Sequence, residues 1–287
     1  MNSSGVPSVV GVLGGGRMGA GIAHAFCLAG ARVAVVERDA DSAEAALRRV
    51  SASLASSVSR GTTAESLDIL TARVSAGSDD AAFAEAQLVI EAVFEDFDVK
   101  TEALGRIENR IGPDAWLASN TSSISITALA ERLRRPERFC GLHFFNPVPA
   151  SRLVEIVTGK RTAAQLTSLA REWVAGLGKT PIVVRDAPGF ASSRLGLALG
   201  LEAIRMVEQG VASPEDIDAA MVLGYQHPVG PLKLTDIVGL DVRLGIAEYL
   251  HSNLGDRFEP PALLREMVAR GDLGRKTGQG FYAWPSN

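Results

Sequence analysis

The segment 9–37, VVGVLGGGRMGAGIAHAFCLAGARVAVVE, decides the fold predicted for this chain. An apolar run at 9–13 leads directly into a glycine-rich turn, and a stretch with helical composition follows and stops at Gly30. A second apolar run, 33–36, ends in Glu37. Strand, glycine turn, helix and strand in this order are typical of a dinucleotide-binding domain built on a parallel sheet.

The glycines of this turn have separate physical roles. Gly14 permits the tight turn, Gly16 lets the backbone approach a pyrophosphate, and Gly19 lets the helix pack closely against the strand. Arg17 and Met18 lie at the start of the helix, where backbone N–H groups face an anion. The turn therefore predicts a pyrophosphate site at the N-terminus of this helix.

The type of dinucleotide depends on Glu37, which lies eighteen residues beyond Gly19 at the end of the second predicted strand. A carboxylate there can accept hydrogen bonds from both ribose hydroxyls of NAD, and it would repel the 2′-phosphate of NADP. The neighbouring Arg38 leaves an alternative open, because its guanidinium could pair with that phosphate. We expect NAD to be the cofactor.

Further apolar runs predict the rest of a mostly parallel, Rossmann-like sheet. Helical stretches separate them, as an α/β fold requires. Besides the region around His143, the predicted strands are 88–93, 115–119, 153–157 and 180–185, and the predicted helices are 39–59, 63–74 and one that starts near Lys100.

Polar side chains follow two of these strands, at the edge of the sheet where open parallel sheets bind ligands. Glu95 follows the strand at 88–93, and residues 120–123, NTSS, follow the strand at 115–119. The segment 120–123 could form a polar floor beneath a cofactor and substrate. It could also be only a helix entry, with Ser125 as a second candidate cap. Lys100 alone is typical of a solvated helix face.

Residues 140–157, CGLHFFNPVPASRLVEIV, bring His143 and Glu155 onto adjacent strand ends, twelve residues apart in sequence. An imidazole held by a carboxylate suits a general base, because the carboxylate fixes the tautomer and stabilises the charged form. The alternative is a structural histidine with an unrelated surface glutamate.

The second half of the chain changes to helical periodicity, so we place a domain boundary between residues 185 and 186. Residues 1–185 would form the dinucleotide-binding domain with the His143 and Glu155 pair, and residues 186–287 a smaller all-α domain. The segment 194–206 carries apolar residues on more than one face. We therefore expect its complete burial, within the domain or against a second subunit.

The composition describes a globular protein of two domains, since 287 residues exceed the usual single-domain size. A net charge of -4 gives no electrostatic reason to expect nucleic acid or an anionic membrane. Only two cysteines occur, and neither a secretory leader nor an 18-residue apolar run is visible, so we expect a cytoplasmic protein. No cluster has metal-ligand spacing, and we expect no metal.

Several long, ordered strings give the chain a clear resemblance to one enzyme family. It resembles the 3-hydroxyacyl-CoA dehydrogenases, and within them the short bacterial 3-hydroxybutyryl-CoA dehydrogenases. The matching strings cover nearly the whole chain and are GGGRMGAGIA (14–23), EAVFED (91–96), ASNTSSISIT (118–127), GLHFFNPVP (141–149), DAPGF (186–190), HPVGPLKLTDIVGLD (227–241) and GRKTGQGFY (274–282).

The resemblance implies an NAD-dependent oxidation of a short 3-hydroxyacyl-CoA, by a homodimer formed through the helical domain. His143 matches the catalytic base, Glu155 its acidic partner, and Ser122 the hydroxyl that binds the 3-oxygen of the substrate. Asn146 lies in the active-site turn and is expected to contact substrate. The residues expected to bind the cofactor are Gly14, Gly16, Arg17, Met18, Gly19, Glu37, Glu95, Lys100 and Asn120.

One position departs from the family pattern. Ser193 stands where the family usually has an Asn that helps to hold the acyl oxygen of the substrate. A hydroxyl is shorter than an amide, so the site could suit a different acyl group, or Ser193 could simply cap the next helix. Two other functions remain open: the same chemistry on an acyl group tethered to a carrier protein, and a non-catalytic NAD(H)-binding protein.

Overall fold

The computed structural model describes residues 5–285. Contacts between residues divide the chain into two compact units, the first ending at Asp186 and the second beginning at Ala187. The sequence placed this boundary one residue earlier. Among the described residues, no helix combines the length and the apolar character needed to cross a membrane.

Within residues 5–186, the first unit is built on one sheet of eight strands in the order β3-β2-β1-β4-β5-β6-β7-β8. The strands are β1 (Val9–Leu13), β2 (Arg32–Val36), β3 (Val74–Gly77), β4 (Leu88–Glu91), β5 (Trp116–Ser119), β6 (Phe139–Phe144), β7 (Leu153–Thr158) and β8 (Thr180–Arg185). All neighbouring pairs are parallel except β6 with β7. The predicted mostly parallel, Rossmann-like sheet is confirmed.

Helices of the first unit bury their apolar sides against this sheet. They are α1 (Arg17–Leu28), α2 (Ala40–Ser59), α3 (Leu67–Thr71), α4 (Phe97–Glu108), α5 (Ile126–Ala130) and α6 (Ala164–Gly176). Side-chain caps determine where several of them begin: Asp39 accepts a hydrogen bond from the Ser42 amide, and Asp96 accepts from the amides of Asp98 and Val99. The central strand β4 is buried at every position, as a parallel strand covered on both faces should be.

The predicted helix at 63–74 is wrong over most of its length. The helix α3 covers five residues, capped by Ser66, and the chain then enters strand β3. Residues Val74–Gly77 pair with the open edge of β2, where Val33 lies opposite Val74. Pairing with an existing sheet edge outweighs the weak local preference of the sequence VSAG.

The second unit is helical, as predicted. Its helices are α7 (Ser192–Glu208), α8 (Pro214–Gly224), α9 (Pro231–Val238), α10 (Leu240–Leu254) and α11 (Ala262–Arg270). They enclose a separate core that includes Leu197, Leu201 and Leu232. The complete burial expected for 194–206 does not occur within this chain, because Leu195 of α7 is 71% exposed.

Candidate active site

The glycine turn joins β1 to α1 beside the position where the strand order reverses, since β1 lies between β2 and β4. Gly14 has a φ of 90°, which favours glycine, and a Cβ on Gly19 would lie 1.8 Å from the Gly14 carbonyl oxygen. A Cβ on Gly16 would meet no atom within 4 Å, so the turn is open on that side. Arg17 is exposed as the first residue of α1, and Met18 is partly buried. These residues fit a bound pyrophosphate.

Glu37 follows β2 and reaches back to this turn. The Gly15 amide donates to Oε1 of Glu37 at 2.7 Å, and the Arg38 amide lies 3.3 Å from Oε2. The side chain of Arg38 is 85% exposed, and its Nε lies 3.0 Å from Oδ2 of Asp39. The Glu37 carboxylate is therefore held at the glycine turn, while the Arg38 guanidinium is paired with Asp39.

His143 and Glu155 are directly opposed residues of the antiparallel pair β6 and β7. Nδ1 of His143 lies 2.7 Å from Oε2 of Glu155, with the two residues 4% and 0% exposed. The ring of Phe145 packs 4.5 Å from the imidazole, centroid to centroid. The reading of His143 beside an unrelated surface glutamate is wrong, because Glu155 is buried and hydrogen-bonded to the ring.

Residues 120–123 gather around the carboxylate of Glu95. Its Oε1 accepts hydrogen bonds from the Thr121 hydroxyl at 2.6 Å and the Ser122 amide at 2.9 Å. Burial raises the pKa of Glu95, but Lys100 and these two donors outweigh it and hold the pKa below its ordinary value. The segment is not the entry of a helix, since α5 begins at Ile126 with Ser125 as its cap.

Asn120 and Asn146 occupy different environments. The side-chain oxygen of Asn120 accepts from the Phe144 amide at 2.9 Å, which ties the end of β5 to the end of β6. Asn146 is exposed in the loop that follows β6. Asn120 thus fixes the backbone next to His143, and Asn146 can meet a ligand from solvent.

Lys100 is 1% exposed, so the solvated helix face expected for it is wrong. Its Nζ lies 2.6 Å from Oε1 of Glu91 and 3.3 Å from Oε2 of Glu95. Glu91 is fully buried, and its second oxygen accepts from the Ser119 hydroxyl at 2.5 Å. The buried ion pair of Lys100 with Glu91 thus keeps the ammonium group next to Glu95.

Sequence reasoning missed Glu91, although its position carried a signal. The residue closes the apolar run LVIE of β4, and a carboxylate at the end of a buried strand requires a cationic or hydrogen-bonding partner. Lys100, nine residues later in the first turn of the next helix, is that partner.

Ser193 lies in the first turn of α7, in the second unit, and does not cap that helix. The N-cap position is Ala191, without a side-chain hydrogen bond. The capping role considered for Ser193 is therefore wrong, and its contact with substrate stays a prediction.

Two family models together match nearly the whole chain. The model described as 3-hydroxyacyl-CoA dehydrogenase, NAD binding domain, matches residues 9–187. The model described as 3-hydroxyacyl-CoA dehydrogenase, C-terminal domain, matches residues 189–284.

Individual relatives match over nearly their full length. A probable 3-hydroxybutyryl-CoA dehydrogenase of Deinococcus radiodurans is 41% identical over 275 residues, covering 96% of this chain and 99% of that protein. The 3-hydroxybutyryl-CoA dehydrogenase of Bradyrhizobium diazoefficiens is 42% identical, covering 95% and 94%. The crystal structure of (S)-3-hydroxybutyryl-CoA dehydrogenase from Ralstonia eutropha matches with a TM-score of 0.93 at 39% identity, covering 98% and 100%.

Proposed function

Because the chain belongs to the 3-hydroxyacyl-CoA dehydrogenase family, we propose that it interconverts (S)-3-hydroxybutyryl-CoA and acetoacetyl-CoA. The chain is an NAD-dependent oxidoreductase. The observation that carries the proposal is the buried contact between Nδ1 of His143 and Oε2 of Glu155. Oxidation of a secondary alcohol needs a proton acceptor beside the hydroxyl, and this pair supplies one.

In the proposed reaction, Nε2 of His143 takes the proton of the 3-hydroxyl group while the C3 hydrogen leaves with its electron pair. NAD, when bound, supplies the acceptor for that hydride. Glu155 accepts the hydrogen bond from Nδ1, so the tautomer with a proton on Nδ1 is favoured and the imidazolium is stabilised. In the reverse direction, protonated His143 donates its proton to the oxygen of the ketone as it is reduced.

We assign the other site residues to binding. Ser122 would donate to the 3-oxygen of the substrate, and Asn146 would contact the acyl group. Glu95 and Asn120 would line the nicotinamide side, and Lys100 would act there through its ion pair with Glu95. The glycine turn would hold the pyrophosphate, with Arg17 and Met18 at the start of α1, and Glu37 would accept the ribose hydroxyls and favour NAD over NADP.

We also propose a homodimer that forms through the helical unit. Large apolar side chains of this unit are exposed in the single chain, including Leu195 at 71%, Leu223 at 80% and Tyr225 at 75%. A second copy of the chain could bury apolar surface of this kind, which is the support for the proposal. Sedimentation of a particle of 30.2 kDa, the mass of one chain, at working concentration would reject the dimer.

The two buried, free thiols Cys27 and Cys140 suit a reducing compartment, and we propose the cytoplasm.

Ser193 favours a second candidate substrate, the same acyl group on a carrier protein, because an altered acyl contact can accompany an altered carrier. The catalytic pair would act identically in both. The efficiency of acetoacetyl-CoA compared with acetoacetyl-carrier protein separates the two candidates, and we expect the CoA thioester to be preferred. A Ser193→Asn variant with unchanged efficiency for every acyl substrate would remove Ser193 from the substrate site.

The experiment that tests the function follows NADH absorbance after addition of acetoacetyl-CoA to the full chain. We expect rapid consumption by the wild type and a much slower reaction with His143→Ala. Tight NADH binding without turnover of acyl groups on either carrier would instead identify a non-catalytic NAD(H)-binding protein.

A further inference from the structure

The loop 145–152 joins β6 to β7 and carries Asn146 of the proposed site. Phe145 packs against the imidazole of His143, and Asn146 follows it. The hydrogen bonds within this loop are short-range: the amides of Ala150 and Ser151 both donate to the Pro147 carbonyl at 3.0 Å. Such a turn shapes the loop but does not fix its place on the domain.

Lys179 supplies a tether from outside the loop. It immediately precedes β8, and its Nζ donates to the carbonyl oxygens of Val148 at 2.6 Å and Ser151 at 2.5 Å. Burial lowers the pKa of this ammonium group, and within residues 5–285 it forms no ion pair. Its charged hydrogen bonds therefore go to the loop backbone, and hydrogen bonds with an ionised donor are stronger than neutral ones.

Packing on α1 holds the same loop from another direction. The Val148 side chain is 2% exposed, and a Cβ built on Gly21 would lie 2.8 Å from the Val148 Cβ. The helix that begins at the glycine turn and the loop beside His143 are thus in direct contact. Lys179 holds the Val148 carbonyl while the side chain of the same residue packs on this helix.

We propose that Lys179 is a positioning residue, which holds the loop 145–152 so that Phe145 keeps its packing against His143 and Asn146 keeps its place in the loop. This role rests on the proposed dehydrogenase function. Lys179 makes no contact with reacting atoms in it, and acts through the two loop carbonyls. A small displacement of groups around a reacting centre can lower the rate by about a hundredfold, so a backbone tether of this kind affects turnover.

The test compares Lys179→Met, which keeps the length of the side chain but removes the ammonium group, with Lys160→Met as a matched control. Lys160 is exposed in the same unit, and no role in the site is assigned to it. Lys179→Arg is the conservative variant, because a guanidinium can donate to two carbonyls. For each protein we would measure amide hydrogen exchange of 145–152, NADH affinity by fluorescence, and kcat and KM with acetoacetyl-CoA.

We expect Lys179→Met to exchange faster in 145–152 and to lose at least about tenfold in kcat/KM, with unchanged NADH affinity. Lys179→Arg should recover part of both losses, and Lys160→Met should match the wild type. Unchanged exchange in 145–152 would overturn the tether. Faster exchange with unchanged kcat/KM would overturn the positioning role.

Two further outcomes are also decisive. If Lys179→Met does not fold, exchange and kinetics of Lys179→Arg and Lys179→Gln replace it, and equality of both variants with the wild type overturns the proposal. If the wild type does not reduce acetoacetyl groups on either carrier, the dehydrogenase function and the positioning role fail together. Exchange of 145–152, which needs no substrate, would then still decide the tether.

Discussion

His143 and Glu155 face each other across the antiparallel pair of β6 and β7, with Nδ1 and Oε2 2.7 Å apart. Directly opposed residues of two such strands project their side chains from the same face of the sheet. The register of the two strands places the two residues opposite each other. The contact is buried, so one tautomer of the imidazole is favoured without competition from water.

The first prediction concerns His143→Ala. If the imidazole is the general base of the oxidation and the general acid of the reduction, removing it should lower kcat with acetoacetyl-CoA by about 10²–10⁴-fold. NADH affinity should stay the same, because the glycine turn and Glu37 are untouched. Stopped-flow reduction and fluorescence titration measure the two quantities, and equal losses in turnover and NADH affinity would contradict the assignment.

The second prediction concerns Glu155→Gln, which keeps the shape of the side chain but removes its charge. We expect kcat to fall, because the imidazolium formed during alcohol oxidation loses its counter-charge. The amide of Gln carries no charge at any pH, so the loss should persist across the pH range. Full activity across the pH range would mean that Glu155 does not assist His143.

Much of the fold could be predicted from local sequence patterns. The apolar runs of β1 and β8 predict their observed bounds, and the predicted helix at 39–59 is found as α2, which Asp39 caps. These features are determined by residues that are close together in the sequence. Strand β3 could not be found in this way, because VSAG lacks an apolar run and becomes a strand only by pairing with β2. Helical periodicity alone does not delimit α9, although Pro231 at its first position is a signal of a helix start.

The site shows the same limit at the level of single side chains. His143 and Glu155 could be predicted because two adjacent strands bring them together. The burial of Lys100 could not be predicted, because it depends on the contact between its ammonium group, on α4, and the Glu91 carboxylate, on β4. The family resemblance implies that Lys100 is a cofactor residue, but it does not identify Glu91 as the partner of its charge.

The third prediction concerns the buried ion pair between Lys100 and Glu91. Lys100→Met leaves the fully buried Glu91 without its cation, so the free energy of unfolding should fall by about 3–5 kcal/mol. The double variant Glu91→Gln with Lys100→Met removes both charges and should recover a large part of this loss. Urea denaturation followed by circular dichroism measures both. Arg48→Met, which breaks an exposed pair with Glu44, is the control and should cost less than about 1 kcal/mol.

The fourth prediction concerns His24, which is buried in α1 with Nε2 2.8 Å from the Ser57 hydroxyl. Burial, then the charges of Lys179 and Arg60, hold its pKa below the ordinary value. The unfolded chain therefore binds a proton more readily than the folded chain. The stability that this neutral ring contributes is complete above about pH 6.5 and falls as the pH drops below it.

Urea titrations between pH 7.5 and 5.5 measure this dependence. We expect His24→Gln to show a smaller loss of stability on acidification than the wild type, by at most about 1.4 kcal/mol per pH unit. His227→Gln removes a histidine from the helical unit and serves as the control. An unchanged slope for His24→Gln would show that His24 is not the group responsible.

The fifth prediction concerns Glu37, whose carboxylate accepts the Gly15 amide at the glycine turn. The wild type should use NADH more efficiently than NADPH, because the carboxylate can accept ribose hydroxyls and repels a 2′-phosphate. Glu37→Ala should lower kcat/KM for NADH by about tenfold or more, the usual cost of losing hydrogen bonds to a charged group. It should also raise the relative efficiency of NADPH. Glu44→Ala removes an exposed carboxylate of α2 and should leave the NADH to NADPH ratio unchanged. A wild type that prefers NADPH would instead mean that Arg38 leaves Asp39 to bind the phosphate.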